Sequence, residues 1–236
     1  DGTIDEEEWQ DLFTPRYEPA AVLANARVVV STGSDSTLFE WRADRQAYYS
    51  NSSDFAPKSG TRYALEITAA GFNSIVGSLI TPEMPVFAIE LHPDTLKVGL
   101  SKTVDLSWQS GTMGKGVLTG KMHREAIGGD ENKGEFDEPQ CVSLYKVVNL
   151  DEGTYTTDPV FCDHSFTRPY LLRLTAMDTN YYEYFVTGEV HDYANILLPS
   201  NTTQGWGVGI DGGYGVFGAI ASDSMQRIIS VESWKK

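Results

Sequence analysis

Residue types that perform catalysis are present in this chain, but not at the spacings that catalysis requires. Its histidines are His92, His123, His164 and His191. They form no HExxH motif or other paired metal spacing, and no GxSxG nucleophile elbow occurs. Asp163-His164-Ser165 places triad residue types side by side, but neighbours in a strand point to opposite faces and cannot bond as a triad does. The sequence therefore predicts surface histidines and a protein that is not an enzyme.

An acidic loop at residues 128–139 supplies the hard oxygen donors that calcium prefers. Its candidate ligands are Asp130, Glu135, Asp137 and Glu138. Gly134 is the fifth residue counted from Asp130, whereas an EF-hand loop requires glycine at the sixth position. A solvated run of charges is the simpler interpretation. We predict no bound metal and no cofactor, and keep these carboxylates only as weak metal candidates.

The chain contains two cysteines, Cys141 and Cys162. A hairpin with its turn centred between Asp151 and Glu152 would place them directly opposite each other. A cross-strand disulfide there would stabilise the fold by about 3 kcal/mol on the chain-entropy model. Two small buried side chains are the alternative.

Glycine alternates with apolar and aromatic residues over 205–219, and the segment contains a literal GxGxxG at 213–218. A dinucleotide fingerprint must open a helix and precede an acidic residue by about 20 positions. Only 18 residues follow Gly218, and they alternate as in a strand. We expect instead a strand, a glycine turn and a second strand, because glycine accepts positive φ and close backbone contact.

Aromatic side chains are the remaining candidates for binding. Exposed rings stack on the apolar faces of sugars, while rings on half-buried strands usually belong to the core. Both interpretations stay open at this point. The tentative binding residues are Trp206, Tyr214, Phe217, Tyr181 and Tyr182.

Charge and hydropathy limit the classes of partner. The chain has 33 acidic and 18 basic residues, a net charge of −15. Such a balance argues against nucleic acid or an anionic membrane surface as partner through charge alone. No apolar run approaches the roughly 18 residues of a membrane span.

The elements that would position these residues are strands. From residue 19 onward, β-forming residues alternate and are separated by turn residues at intervals of about ten, as in an antiparallel sandwich. Residues 1–18 are expected to be a leader with a short capped helix. Pro82 and Pro85 mark a boundary. We therefore predict an all-β protein, with an immunoglobulin or transthyretin-like sandwich at 19–90 and a second antiparallel β domain at 91–236.

Several segments carry a family resemblance. The block containing 24–30, 47–49, 60–72 and 80–82 resembles carboxypeptidase-regulatory or transthyretin-like sandwiches. Together with Tyr181-Tyr182-Glu183-Tyr184 and the ending at 212–219, it resembles uncharacterised Bacteroidota cell-envelope lipoproteins, whose genes commonly lie beside TonB-dependent receptors. The likeness covers about residues 19–222. A lipobox cysteine is absent, and the acidic loop looks like an insertion.

The resemblance implies a non-enzymatic outer-membrane lipoprotein, or a periplasmic or cell-surface protein, held to the membrane only by a lipid upstream of Asp1. Its partner would be a TonB-dependent receptor that it assists in nutrient capture. An autonomous glycan-binding or adhesive module is the alternative. That family has no established catalytic residues, so none are carried over.

Overall fold

The computed structural model describes residues 23–33, 35–50, 52, 55–111, 113–123, 136–137, 141–187 and 207–233. The predicted leader helix lies outside these residues, as does the acidic loop except for 136–137. The described part is a mainly antiparallel all-β fold with little helix, which confirms the predicted all-β class.

The first sheet, here the N-terminal sheet, has six strands in the order β15-β5-β4-β1-β2-β3. Its strands are β1 (Arg27–Thr32), β2 (Asp35–Arg42), β3 (Ala47–Ser50), β4 (Arg62–Thr68), β5 (Ile75–Ile80) and β15 (Ile210–Asp211). Four of them, β1 to β4, follow segments in which β-forming residues alternate with period two in the sequence. The sixth comes from the other end of the chain, beyond the predicted limit at residue 90.

Strands β1 to β5, which lie within the predicted N-terminal sandwich, are neighbours in this one sheet. Period-two alternation shows that each strand has one apolar face, but not which strands share a sheet. Because paired residues lie on the same face, Val28, Phe39 and Ile67 share one side of the N-terminal sheet. The opposite side, which carries Glu40 and Glu66, is mainly polar.

The rest of the described chain forms two further sheets and a small two-stranded pair. The main sheet has the order β10-β9-β13-β17-β7, with β11 also on β9. The small sheet has the order β12-β8-β6. Their strands are β6 (Val86–Phe87), β7 (Thr95–Val98), β8 (Asp105–Gln109), β9 (Lys115–His123), β10 (Phe136–Asp137), β11 (Leu144–Asn149), β12 (Thr154–Thr156), β13 (Phe166–Met177) and β17 (Ile220–Val231).

The main and small sheets bury their apolar faces in one shared cluster, here the main core. Trp108 of β8 packs there with Leu118 of β9, Leu174 of β13 and Met225 of β17. Trp108 is also held by its Nε1–H, which donates to the carbonyl of Leu150 at 2.9 Å. Alternation along the twelve-residue strands β13 and β17 places Leu172, Leu174 and Ala176 of β13 and Met225, Ile229 and Val231 of β17 in this core.

Helical structure is limited to short turns in the described residues. The helix α1 (Thr179–Tyr182) begins at Asp178, whose carboxylate accepts the Tyr181 N–H at 3.0 Å, and a wider turn follows at Glu183–Thr187. The aromatic run at 181–186, whose sequence suits either a strand or one or two helical turns, is thus helical. None of the described helices is long and apolar enough to cross a membrane.

Candidate functional site

The glycine-rich segment 207–219, here the glycine strap, is not the hairpin that its sequence predicts. Its strands are β14 (Gly207–Val208), β15 and β16 (Gly215–Val216). β14 and β16 pair in parallel, while β15 pairs with β5 of the N-terminal sheet. Left-handed φ values at Gly209, Gly212 and Gly215 turn the chain repeatedly, so the two expected strands never become antiparallel neighbours.

Two glycine contacts show why the glycine strap needs glycine where it meets the N-terminal sheet. A Cβ on Gly77 of β5 would lie 2.6 Å from the carbonyl oxygen of Gly209. A Cβ on Gly212 would lie 2.4 Å from the carbonyl oxygen of Ser74. Two backbones therefore approach closely along this seam, and these glycines are needed for packing inside the protein.

Asp178 and Asn180 fasten the glycine strap from the other side. The Asn180 amide donates to the carbonyls of Ser78 and Phe217, both at 2.9 Å. The buried Asp178 carboxylate accepts the Ala219 N–H at 2.9 Å in addition to capping α1. One end of β13 is thus joined to both the strap and the N-terminal sheet.

The apolar side of the N-terminal sheet contains a groove of about 290 Å³, here the aromatic groove. Its aromatic lining is Phe39, Tyr48, Phe55, Tyr63 and Phe217. Its aliphatic lining is Val28, Val30, Leu65 and Leu79. Strands β1 to β5 form the floor, the loop carrying Phe55 forms one wall, and the end of the glycine strap forms the other.

Edge-on ring contacts build the aromatic groove. The centroids of Phe39 and Phe55 are 5.3 Å apart at 80°, and those of Phe55 and Tyr63 are 6.3 Å apart at 80°. Trp41 and Tyr48 meet at 5.4 Å and 61°. Edge-to-face pairs of this kind are favourable packing arrangements. None of these three pairs forms a flat platform of coplanar rings.

The hydroxyl groups that line the aromatic groove already have backbone partners. The Tyr48 hydroxyl donates to the Leu23 carbonyl and accepts the Ala26 N–H. The Tyr63 hydroxyl accepts the Lys58 N–H at 2.8 Å. The Thr81 hydroxyl donates to the Lys58 carbonyl and accepts the Thr61 N–H. The groove therefore presents mostly carbon to a ligand.

A second, more polar cavity of about 190 Å³ adjoins the aromatic groove, and Val30, Phe55 and Tyr63 line both. We call it the polar pocket. Its polar lining includes Thr32, Asp35, Thr37, Lys58 and Thr61.

The tentative binding residues that the structure describes belong to two segments, the glycine strap with Tyr214 and Phe217, and α1 with Tyr181 and Tyr182. Phe217 lines the aromatic groove, and Tyr214 is 72% exposed at the turn of the glycine strap. Tyr181 and Tyr182 are half-buried in α1, where Tyr181 contacts Phe185 with centroids 4.5 Å apart. Trp206 lies outside the described residues.

Phe55 was missed by sequence reasoning, because it lies in a loop that has no periodicity. For the groove residues on strands, the signal in the sequence was the alternation of side chains between the two faces of each strand. Phe39 and Tyr48 alternate with the outward-facing Leu38 and Tyr49.

Cys141 and Cys162 form a disulfide, with Cα atoms 5.3 Å apart. The predicted hairpin that was to carry it is wrong. β11 pairs with β9 in the main sheet, whereas β12 pairs with β8 in the small sheet, so the chain arches from one sheet to the other through the turn Leu150–Glu152. The disulfide thus lies at the open end of an arch that spans the main core.

An ion pair flanks this disulfide at the surface. Lys146 Nζ lies 2.7 Å from Asp158 Oδ2. The hydrogen bond from Lys146, together with its positive charge, holds the pKa of the Asp158 carboxyl below its usual value. The same hydrogen bond and the neighbouring charges raise the pKa of Lys146. Partial burial, followed by the charge of Asp158, raises the pKa of the Tyr155 phenol.

Surface positions were predicted for the histidines, and for His92 this is wrong. His92 is 6% exposed; its Nδ1 lies 2.7 Å from the Ala88 carbonyl, and its Nε2 accepts the Ser107 N–H at 2.9 Å. Because both ring nitrogens bond to backbone, His92 joins the β6 region to β8. His164 is exposed. The side chain of His123 and all of His191 lie outside the description.

Among the described residues, no group of three His, Cys, Asp or Glu side chains could hold a metal ion. Asp130, Glu135 and Glu138 lie outside those residues, and for Asp137 the structure gives only backbone pairing with Met122.

Comparison of the chain with protein-family models gave no match, and comparison with curated protein sequences gave none.

Proposed function

We propose that this chain is a non-enzymatic binding protein of the cell envelope, and that the aromatic groove holds its ligand. In this proposal the protein assists a TonB-dependent outer-membrane receptor in nutrient capture. The observation that carries the proposal is the aromatic groove itself. Binding sites in proteins are typically concave, mainly apolar and aromatic, and placed on a rigid support. The N-terminal sheet and glycine strap supply such a support.

The disulfide supports the cellular location. Disulfides persist in oxidising compartments, including the bacterial periplasm and cell surface, and are rare in the cytosol. Cys141 and Cys162 are bonded, and Cys162 is 1% exposed. A disulfide that closes the arch around the main core is typical of a structural bond in an exported protein.

The proposal that a receptor is the partner rests on the sequence resemblance. One exposed surface of the protein suits a contact of this kind. Phe72, in the turn between β4 and β5, is 64% exposed, and Tyr214 is 72% exposed. The two residues lie at the same end of the N-terminal sheet, because Gly212 packs directly on Ser74. We call them the turn patch. Exposed aromatic residues are common in protein interfaces.

The test is purification of the tagged full-length protein from its native envelope, followed by mass spectrometry of the proteins that accompany it. We expect a TonB-dependent receptor in stoichiometric amount, and its loss with the double substitution F72S and Y214S. Y145S is the matched control, because Tyr145 is 61% exposed on the main sheet. Recovery of the protein alone would contradict the receptor role. Equal loss in the control would contradict the turn patch.

A further inference from the structure

We infer that the aromatic groove and the polar pocket together form one site for a soluble single-chain amphiphile, with its hydrocarbon chain in the groove and an anionic head in the pocket. This inference rests on the proposed function in one respect only: the groove is taken as the ligand site. It adds the chemical class of the ligand.

The lining of the groove selects for hydrocarbon. Its five rings and four aliphatic side chains offer carbon contacts, while the hydroxyls of Tyr48, Tyr63 and Thr81 are bonded to backbone. A polar ligand group placed there would lose its water without gaining a hydrogen-bond partner, which disfavours binding. An alkyl chain has no such groups to desolvate, and each methylene that it buries favours binding.

The geometry of the rings argues against a sugar as the preferred ligand. Sugar recognition requires an exposed ring face beside polar groups that hold the hydroxyls. The Phe39–Phe55 and Phe55–Tyr63 pairs are edge-on at 80°, and the polar lining is displaced into the neighbouring pocket. Apolar and polar surfaces are thus segregated, as they are in an amphiphile.

The polar pocket provides the place for the head. It lies next to the groove, with Val30, Phe55 and Tyr63 lining both cavities. Lys58 is the basic residue among its described lining, and Thr32 and Thr37 add hydroxyl groups, while Asp35 is the acidic residue. A net charge of −15 would repel an anion, but residues 23–80 contain five basic and five acidic side chains. An anionic head therefore meets a locally neutral region with Lys58 as its partner.

The experiment is calorimetric titration of the full-length protein with dodecanoate below its micellar concentration. We expect saturable binding with one site. F39S should weaken binding at least about tenfold, because it removes a ring from the floor. L38S is the matched control, because Leu38 precedes Phe39 but faces the other side of β2. Thermal unfolding of each variant identifies loss of folding.

Two further variants keep the test independent of folding. L65W fills the groove with a larger apolar side chain and should block binding, whereas A64W places the same ring on the opposite face. K58M should weaken dodecanoate binding about fivefold or more and abolish its advantage over dodecyltrimethylammonium. Tighter binding of the cationic amphiphile by the unaltered protein would overturn the anionic head.

The outcomes separate this inference from the proposed function. If dodecanoate does not bind but F39S or L65W still removes a nutrient co-purifying from the envelope, the amphiphile is wrong and the groove remains the site. If dodecanoate binds equally to L65W and A64W, the groove is not the site and both proposals about it fail. Flotation with phosphatidylglycerol vesicles in the absence of dodecanoate binding would overturn the soluble amphiphile in favour of a membrane lipid.

Discussion

The N-terminal sheet and the main core solve the problem of covering apolar strands in different ways. Among the residues that the structure describes, the main core contains 17 buried residues between two sheets, whereas the cluster on the N-terminal sheet contains three, Val30, Tyr63 and Leu79. Side chains around those three, including Phe39, Phe55 and Phe217, are only partly buried. One region uses its apolar surface to hold itself together, and the other leaves part of that surface open to a ligand.

The glycine strap connects the N-terminal sheet to the region of the main core, so the sheet does not depend on its own small cluster alone. A single open sheet with so small a core would have little stability of its own, since hydrophobic stabilisation scales with the area removed from water. The glycine strap adds strand β15 to its edge, and Asn180 ties β5 to the strap. We infer that the main core stabilises the molecule, while the strap transmits part of that stability to the N-terminal sheet.

The largest expected effect is in the main core. L174A should lower the free energy of unfolding by about 2–5 kcal/mol, because Leu174 is fully buried and its removal leaves a cavity. L79A, the comparison in the N-terminal sheet, should cost less, because the groove beside it already admits solvent. Urea denaturation followed by circular dichroism measures both. L174M serves as a control that nearly conserves volume and should cost less than about 1.5 kcal/mol. Equal costs for L174A and L79A would break the comparison.

Removal of the disulfide should have the next largest effect. The double substitution C141A and C162A is expected to destabilise the protein by about 3 kcal/mol, because the bond restricts a 21-residue separation in the unfolded chain. The measurement is the denaturation midpoint of the variant, compared with the unaltered protein with and without reductant. In the variant itself, reductant should change nothing. Since neither cysteine lines the aromatic groove, dodecanoate affinity should persist while the protein remains folded.

The contact between the glycine strap and strand β5 is a third place to compare the stability of the N-terminal sheet with that of the main core. G77A should cost about 1–3 kcal/mol, since its Cβ would meet the Gly209 carbonyl oxygen at 2.6 Å and neither backbone can move freely. G99A is the control, because Gly99 also lacks positive φ and its nearest contact would be an ordinary 3.4 Å.

Hydrogen exchange locates the effect of G77A. Faster exchange should appear in β5 and β15 before it appears in β13. Uniform acceleration across all sheets would mean that the seam is no weaker than the main core.

Local pattern was sufficient to predict the strands, but not their partners. Alternation placed β1 to β4 within a few residues, because each strand has one face that avoids water. β15 contains two residues, and its pairing with β5 depends on a contact between segments more than 100 positions apart. The spacing of the cysteines predicted the correct disulfide from an incorrect hairpin. Strands β11 and β12 join different sheets, because both sheets bury their apolar faces in the main core.

For the candidate site, too, the sequence indicated individual residues but not how the fold brings them together. Phe39, Tyr48 and Phe217 belong to the aromatic groups visible in the sequence, and parity separates Phe39 from Leu38. Phe55 and the coupling of the groove to the polar pocket follow from tertiary folding of a loop, for which no periodic signal exists. His92 was misjudged because a buried imidazole with two backbone partners has no signature in its neighbours.

The smallest expected effect concerns the ion pair of Lys146 and Asp158. The folded pKa of Asp158 is lowered, so its stabilisation is present above the unfolded pKa and is lost as the pH falls through the folded pKa. The folded pKa of Lys146 is raised, so its stabilisation is present below the unfolded pKa and is lost as the pH rises through the folded value. The ion pair therefore stabilises the fold around neutral pH, and this stabilisation is lost at low pH and at high pH. Exposure to solvent keeps the effect small.

The pair is tested by comparing the urea midpoints of D158N and D151N from about pH 7 down to about pH 2, because the pKa of Asp158 in the folded protein is lowered. Asp151 is an exposed carboxylate in the turn of the same arch, so both substitutions remove one negative charge. D158N should have the lower midpoint at neutral pH, and the two should converge in acid, where Asp158 would be protonated in the parent protein. If they differ equally at every pH, Asp158 acts through packing, and the arch is held by the disulfide and the main core without help from charge.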